Sequence, residues 1–283
     1  MNTILRNEKL DKQLKEEGYA VVNFINQEQI NELIALYQFH HKDSIPGFYA
    51  SVFSDNVDKR QAITAKIKSI YEPIVAELFI DYRMIGGIFI VKTNEEKERL
   101  HPHQDWGFID EDKYQAFNIW VPLVDVNETN GAFRITPGSH LWVKNYRGPQ
   151  LPESFPEFQE EIWQNMTTMN LKAGQGVIYD ARLFHASYPN TTDFHRIATV
   201  FGAIPKDIEM LHYIRNNNKV SVYESNEAFF LGSNINRGSE VLKKLFEVKF
   251  RNEKNKNLPG YLKKADSSKK SWLTRLFREH FKK

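Results

Sequence analysis

The chain has 283 residues, of which 41% are hydrophobic and 13% aromatic, enough apolar material for one sizeable core with appended segments. The absence of cysteine excludes disulfides, thiolate catalysis, iron–sulfur clusters and cysteine-held zinc, so any metal must be held by histidine and carboxylate side chains. Residues 241–283 hold 14 Lys or Arg and 4 Asp or Glu, a balance of +10, whereas residues 1–240 hold 24 and 32, a balance of −8. The mildly acidic body argues against a nucleic-acid partner, because phosphate contacts need a basic face.

The N-terminal segment does not have the features of a secretory leader, because it is charged and lacks an apolar centre. No stretch approaches the ~20 apolar residues that a membrane-spanning helix needs. We therefore expect a cytoplasmic protein.

The first part of the chain, to about residue 80, is predicted to be largely helical. Gly18 ends the first helix, Asn26 caps the second, and Pro73 is expected to kink or divide the third. The predicted elements are helices over 6–17, about 27–40 and about 57–79, with a strand over 19–24.

From residue 82 the pattern changes to short segments rich in β-branched and aromatic residues, separated by Gly, Pro and Asn turns. These predicted strands cover 82–93, 115–126, 131–139, 167–180, 181–188 and 195–205. Many short strands with such turns predict a mainly β sandwich or barrel with flanking helices, rather than alternating β–α units.

Three further segments are predicted less sharply. Residues 143–165 contain three prolines and are expected to form a lid or substrate loop. Residues 210–237 are expected to be a mixed loop with one short strand or helix. Residues 241–283 are predicted to form a basic C-terminal tail, and the part beyond Pro259-Gly260 is expected to be separate from the core.

The strongest candidate for chemistry is His103-Gln104-Asp105. Side chains at i and i+2 of a strand point to one face, so this spacing places an imidazole beside a carboxylate. His101 lies at the same spacing on the other side of His103, and a His101/His103 ligand pair is the alternative.

A second imidazole, His185, lies about 80 residues later in an otherwise apolar strand. Arg196 follows it by 11 residues, and a hairpin of 181–188 with 195–202 would place it opposite His185. Ser187 shares a face with His185. The alternatives are a core histidine and a surface arginine, although the apolar flanks of Arg196 favour a buried guanidinium that binds an anion.

Two imidazoles and one carboxylate on one face of an octahedral ion are diagnostic of non-haem Fe(II) oxygenases, because they leave three positions open. Two of these accept a chelating 2-oxo acid and the third accepts O2. The distal carboxylate of 2-oxoglutarate then needs a bidentate cation, and arginine presents the matching fork.

H-Q-D at 103–105 is followed by N-G-x-x-x-x-x-P-G-S-H at 130–140 and by H-x-S at 185–187, with an arginine 11 residues after that histidine. Together with the whole run at 118–140, these motifs resemble the phytanoyl-CoA dioxygenase family of Fe(II)/2-oxoglutarate oxygenases. The resemblance covers roughly residues 15–205.

The resemblance implies a double-stranded β-helix, or jelly-roll, core over about 82–205, within a single oxygenase domain of residues 1–240. The metal ligands that it implies are His103, Asp105 and His185. It also places Arg196 and Ser187 at the distal carboxylate of the co-substrate.

Three further residues are assigned to the co-substrate site. Trp120 matches an aromatic position that lines such sites, and Lys92 is expected to approach the co-substrate. Asn118 is expected either to reach the co-substrate or to support a metal ligand, with a structural role as the alternative.

The expected function is therefore that of an Fe(II)/2-oxoglutarate-dependent dioxygenase that uses O2. We expect it to hydroxylate an unactivated C–H bond of a small-molecule or lipid-like substrate, with release of succinate and CO2. Asp105 favours this over halogenation, in which a small residue replaces the carboxylate. The alternatives are a non-oxidative cupin-type isomerase or hydrolase, and a non-catalytic binding module on the same fold.

The end of the tail, residues 271–283, is predicted to form an amphipathic helix with basic residues outside its apolar face. Such a helix suits peripheral contact with an anionic membrane surface. Docking on the body or on a partner, and a solvated end, are the alternatives.

Overall fold

Three helices form the N-terminal layer of the computed structural model, which describes residues 3–41, 47–95, 98–232 and 238–250. Asn7 caps the start of the first helix with its short polar side chain, and Gly18 ends the helix with a left-handed φ of 80°. Asn26 and Gln29 form a capping box at the second, and the third runs unbroken through Pro73. The helices are α1 (Glu8–Glu17), α2 (Gln27–His40) and α3 (Val57–Leu78).

Besides these three helices, the described residues contain 13 strands and three short α-helices. The first strands are β1 (Tyr19–Asn23), β2 (Phe48–Ala50), β3 (Tyr82–Lys92), β4 (Leu100–His103), β5 (Phe117–Pro122) and β6 (Phe133–Ile135). They are followed by α4 (Gln159–Gln164), β7 (Thr167–Met169), β8 (Gln175–Asp180), β9 (His185–Ser187) and β10 (Arg196–Pro205). The last elements are β11 (Met210–Asn216), β12 (Lys219–Ser225), α5 (Glu227–Gly232), α6 (Gly238–Val241) and β13 (Lys244–Lys249).

Two antiparallel sheets form the core. The large sheet has the order β1-β8-β5-β10-β3-β2, and the small sheet has the order β4-β9-β6-β7. One face of the large sheet packs on the helices, where the Tyr71 hydroxyl of α3 bonds to Thr199 at 2.7 Å. Its other face packs on the small sheet through a second apolar cluster that includes Trp120 and Phe133. This arrangement confirms the predicted mainly β fold with flanking helices and a jelly-roll core.

The predicted hairpin that would place His185 opposite Arg196 is wrong. β9 belongs to the small sheet and pairs with β4 and β6, whereas β10 belongs to the large sheet and pairs with β3 and β5. The partner of Arg196 across the strands is Lys92. The connection between β9 and β10 crosses from one sheet to the other, and Asn190 fixes it by donating to the carbonyls of Lys92 and Phe194.

The chain after β10 forms a third sheet in the order β11-β12-β13, and α5 follows β12 in the sequence and packs against α3 and β3. The prediction of one short element over 210–237 is therefore wrong, and β13 shows that the segment predicted as a tail begins with a strand of this sheet. The predicted helix at 271–283 lies outside the described residues. Within the described part of the chain, no helix combines the length and the apolar character needed to cross a bilayer.

Candidate metal centre

Strand pairing brings the two candidate imidazoles together. His103 at the end of β4 lies directly opposite His185 at the start of β9, and their ring centres are 4.2 Å apart. Asp105 follows two residues after β4 ends, and its Oδ2 is 3.6 Å from Nε2 of His185. One ligand atom from each of the three side chains lies within 4.8 Å of the others, a spacing that suits one metal ion.

Backbone carbonyls orient both imidazoles. Nδ1 of His103 lies 2.8 Å from the carbonyl of His101, and Nδ1 of His185 lies 3.0 Å from that of Leu183. Because a carbonyl only accepts hydrogen bonds, Nδ1 carries the proton in each neutral ring and Nε2 keeps its lone pair for a metal. The exposed side chain of His101 is outside this set, which removes the support for a His101/His103 ligand pair.

The local electrostatics favour the protonation states that a metal requires. Burial, together with His103, lowers the pKa of His185 to about 4 against the opposing effects of Asp105 and the Leu183 carbonyl. Desolvation acts to raise the pKa of Asp105, but the two imidazoles and two hydrogen bonds together lower it below its usual value. At neutral pH the site therefore offers a neutral His185 and an ionised Asp105.

The two hydrogen bonds to Asp105 come from the large sheet. Nδ2 of Asn118 donates to Oδ2 at 2.6 Å, and the Tyr179 hydroxyl donates to the same oxygen at 2.9 Å. Asn118 was predicted either to reach the co-substrate or to support a ligand, and the structure places it against the carboxylate. Tyr179 was not predicted, although it is a polar residue at an inward position of β8, two residues after the inward Val177.

A buried guanidinium lies beside Trp120, a residue of the apolar cluster between the two sheets. Arg196 is 2% exposed, and burial lowers its pKa to about 9 with no acidic neighbour contributing within the described residues. Its Nη1 lies 3.4 Å from the carbonyl of Ile90, and its Nε has no hydrogen-bond partner in the described part of the chain. The guanidinium therefore stays cationic at neutral pH and lacks the counter-charge that a buried cation needs.

Aromatic rings connect Arg196 to the three candidate ligands. The guanidinium carbon is 5.5 Å from the centre of the Trp120 ring, which stacks on Phe133 at 5.2 Å. The Phe133 ring lies 5.3 Å from that of His185. Trp120 and Phe133 thus lie between the guanidinium and the His185 imidazole.

Ser187 and Lys92 complete the set of predicted co-substrate residues. The Ser187 hydroxyl is buried without a partner among the described residues, on the same strand face as His185. Lys92 lies opposite Arg196 and donates from Nζ to the carbonyl of Tyr188 at 2.9 Å. Gly131 lies beside both cations, since a Cβ there would be 3.4 Å from Lys92 and 3.5 Å from Arg196.

A polar network holds the loop that follows Asp105. Nε of Arg147 donates to the carbonyl of Asp105 at 2.6 Å, while its Nη2 pairs with Glu111 at 2.7 Å. The Tyr213 hydroxyl of β11 donates to the carbonyl of Ile109 at 2.7 Å. The third sheet therefore supports the backbone next to the candidate ligands, a role that nothing in the sequence indicated.

The insertion at 143–165 divides into two parts. Its first residues line a small polar pocket beside Arg147 and Tyr213. The remainder, including Phe155 and Ile162, packs against Phe184 on the outer face of the small sheet. The beginning of this segment therefore reaches the loop after Asp105, and α4 in its second part packs against β4, the strand that ends at His103. The expectation of a lid or substrate loop over 143–165 stays a prediction.

The solved structures that resemble the chain include non-haem enzymes described as alpha ketoglutarate dependent. The epimerase SnoN, in complex with Fe3+, alpha ketoglutarate and nogalamycin RO, is 24% identical, with a TM-score of 0.52 over 72% of this chain and 85% of that chain. The carbocyclase SnoK from nogalamycin biosynthesis is 17% identical, with a TM-score of 0.54 over 72% and 86%. HygX from Streptomyces hygroscopicus, with nickel and 2-oxoglutarate bound, is 14% identical, with a TM-score of 0.50 over 71% and 88%.

Curated relatives match over a shorter segment. Dioxygenase olcK of Penicillium canescens is 27% identical over 128 residues, which are 43% of this chain and 38% of the relative. Dioxygenase cdmA of Talaromyces verruculosus is 25% identical over 134 residues, 45% of this chain and 42% of the relative. The match thus spans less than half of each relative. The profile of the phytanoyl-CoA dioxygenase (PhyH) family, by contrast, matches residues 5–198, and the chain therefore belongs to that family.

Proposed function

We propose that this protein is an Fe(II)- and 2-oxoglutarate-dependent dioxygenase that hydroxylates an unactivated C–H bond of a small molecule. One observation carries the proposal. Two oriented imidazoles and a carboxylate meet within 4.8 Å of one another, and the rings of Trp120 and Phe133 link them to a buried guanidinium that has no acidic partner among the described residues.

The side chains fit the proposed metal. Neutral imidazole nitrogens and one carboxylate oxygen form the ligand set of non-haem Fe(II) oxygenases, and these three side chains offer that set within 4.8 Å of one another. When bound, the metal supplies the oxidising chemistry in which O2 and 2-oxoglutarate convert R–H to R–OH with release of succinate and CO2.

The buried cation fits the proposed co-substrate. Arg196 would bind the distal carboxylate through its guanidinium fork, and the unpartnered Ser187 hydroxyl would donate a further hydrogen bond. Lys92, opposite Arg196 on the neighbouring strand, adds positive charge to the same region. The anion would provide the counter-charge that Arg196 otherwise lacks.

The aromatic residues beside the candidate ligands would exclude water and hold the reacting groups. The rings of Phe133 and Tyr179 contact that of His185, and the Trp120 ring stacks on Phe133. An apolar wall of this kind strengthens the charge interactions at the ligands and restricts the bound co-substrate to few orientations.

The substrate is proposed only as a class. Solved structures of similar fold were determined with nogalamycin RO in SnoN and with hygromycin B in HygX, and these are functionalised small molecules. SnoN is an epimerase and SnoK a carbocyclase, so the test has to distinguish hydroxylation by this chain from epimerisation and ring closure.

The first test is anaerobic titration of the Fe(II)-loaded protein with 2-oxoglutarate. We expect a visible charge-transfer band that is absent from the His185→Ala and Asp105→Ala variants, while His101→Ala behaves as the unmodified protein. A protein that binds Fe(II) but gives no band and no 2-oxoglutarate binding would contradict the proposal. It would favour a non-oxidative cupin-type enzyme if anaerobic turnover were found, and a binding module if it were not.

The second test identifies the reaction. Candidate small molecules are incubated with Fe(II), 2-oxoglutarate and isotopically labelled O2, and succinate and product masses are measured. Substrate-dependent succinate with one labelled oxygen in the product is the expected result. Succinate formation with an unlabelled, isomerised or cyclised product would show that the oxidation has another outcome.

A further inference from the structure

A small polar pocket adjoins both chain segments that carry the candidate ligands. Its wall includes Gly107, two residues after Asp105, and Arg182, three residues before His185. Gln104 ties the two segments together, because its Nε2 donates to the carbonyl of Arg182 at 2.6 Å. The pocket is therefore close to the candidate metal centre, and its lining includes none of the residues that we assign to the co-substrate.

Charged and polar side chains dominate the lining of this pocket. Three of them are acidic and three are basic, so the charges balance. The charged residues are Asp110, Glu111, Asp112, Lys144, Arg147 and Arg182. Such a wall offers an acyl chain little apolar contact, and it has no excess positive charge to attract a phosphate or a carboxylate.

One buried guanidinium in the wall has unused donors. Arg182 is 7% exposed, and its Nε and Nη2 both donate to the carboxylate of Asp180, at 2.9 and 2.6 Å. Its Nη1 makes no hydrogen bond to a described residue, yet this nitrogen is not enclosed by the protein. Because a guanidinium carries five N–H donors, the two on Nη1 remain for a group in the pocket.

The wall also contains an unused acceptor. Oε1 of Glu111 accepts from Nη2 of Arg147 at 2.7 Å, whereas its Oε2 accepts no hydrogen bond from the described part of the chain. Burial acts to lower the pKa of Arg182, but Asp180 and, more weakly, Glu111 raise it above its usual value. The free carboxylate oxygen of Glu111 is therefore within electrostatic reach of the Arg182 donors.

We propose that this pocket binds the polar head of the primary substrate, and that the head is a neutral, sugar-like group with neighbouring hydroxyls. The inference rests on the proposed oxygenase function. Each hydroxyl both donates and accepts, so two adjacent hydroxyls can use the Arg182 donors and the Glu111 acceptor together. Binding there would bring the substrate to the segments that hold Asp105 and His185, while the co-substrate occupies the region of Arg196.

The first test is saturation-transfer NMR on the full chain without metal. The probes are the methyl glycosides of glucose, galactose and mannose, with glucose 6-phosphate and octanoate for comparison. Glu111→Gln keeps an acceptor for Arg147 and replaces the free carboxylate oxygen by an amide donor. Arg182→Lys removes the Nη1 donors and keeps a positive charge. Glu227→Gln is the matched control, because Glu227 is a half-buried glutamate that pairs with Lys68 at 2.9 Å outside the pocket.

We expect at least one methyl glycoside to bind, and glucose 6-phosphate and octanoate to bind at least about tenfold more weakly. Glu111→Gln and Arg182→Lys should each weaken glycoside binding by about tenfold, the equivalent of one charge-assisted hydrogen bond, and Glu227→Gln should not change it. The proposal would be overturned if no glycoside bound, if octanoate bound as tightly, or if Glu111→Gln bound the glycoside unchanged.

The second test locates the bound glycoside relative to the metal. Paramagnetic Mn(II) broadens the resonances of a ligand that lies close to it, and diamagnetic Zn(II) does not. We expect the glycoside resonances to broaden in the Mn(II)-loaded protein, and a bound glycoside without broadening would overturn its assignment to the substrate. A protein that bound neither Mn(II) nor 2-oxoglutarate would contradict the proposed function instead, and glycoside binding to the metal-free chain would distinguish this failure.

Discussion

Arg196 offers a direct test of the co-substrate site, because its guanidinium is buried and its only hydrogen bond to a described residue is a long one of 3.4 Å to the Ile90 carbonyl. Arg196→Met keeps most of the stem and removes the charge and the donors. Without co-substrate, we expect this variant to be more stable by about 1–3 kcal/mol, because a buried charge without a counter-charge is lost.

The same substitution should weaken the binding of 2-oxoglutarate. Two charge-assisted hydrogen bonds from one guanidinium to a carboxylate contribute about 1.5 kcal/mol each at the lower end, or about 3 kcal/mol together. The dissociation constant of 2-oxoglutarate should therefore rise by more than about 100-fold. Calorimetry with the Mn(II)-loaded protein measures this constant, and thermal or urea unfolding measures the stability.

A second buried arginine serves as the control. Arg134 is 7% exposed, donates to the carbonyl of Met166 at 2.9 Å and stacks on Trp163 on the outer face of the small sheet. Arg134→Met should lower the stability and leave 2-oxoglutarate binding unchanged. If Arg196→Met bound 2-oxoglutarate within about threefold of the unmodified protein, the assignment of Arg196 to the distal carboxylate would be wrong.

Three further predictions address the ligands, the pH dependence and the supporting loop. Asp105→Ala and His185→Ala should each weaken Mn(II) binding by at least about 100-fold in titrations. His101→Ala should not weaken it, because His101 contacts His103 through its backbone carbonyl. Equal losses in all three variants would favour His101 and His103 as the ligand pair. Burial lowers the pKa of His140, so the imidazole binds a proton more readily in the unfolded chain, and the free energy of unfolding should fall as the pH drops below the ordinary pKa of 6.5. Urea unfolding at several pH values measures this dependence. His140→Gln should make it less steep, and an unchanged slope would contradict the prediction. Tyr213→Phe removes the hydrogen bond to the Ile109 carbonyl and should lower the free energy of unfolding by about 1 kcal/mol. Tyr114→Phe, at an exposed tyrosine, is the control and should not change it. Equal stability of the two variants would show that the bond does not stabilise the fold.

The sequence was informative where chemistry requires particular residue types at fixed spacing. His103, Asp105 and His185 could be selected because imidazole and carboxylate are the only strong metal ligands in a chain without cysteine. The buried position of Arg196 followed from its apolar flanks. Alternation along the strands also indicated the mainly β core, since inward and outward residues differ in polarity.

Sheet membership could not be predicted in the same way. Alternation identifies the buried side of a strand but not the sheet that it joins, and β9 and β10 were therefore wrongly paired as a hairpin. The hairpin of β11 and β12 was missed although Asn217 adopts a left-handed φ of 54°, which asparagine tolerates in tight turns. The contact of Tyr179 with Asp105 depends on strands that are far apart in sequence, so no local pattern reports it.

The crossing of the chain between β9 and β10 has a consequence for the length of the co-substrate. His185 is anchored to the small sheet and Arg196 to the large one, so a dicarboxylate that reached both would connect the two halves of the sandwich. The spacing between the sheets is set by packed side chains such as Trp120 on Phe133 and is not readily adjusted. A four-carbon oxo acid would then be too short and a six-carbon one too long, and selectivity for a five-carbon chain would follow from how far apart two β-sheets pack.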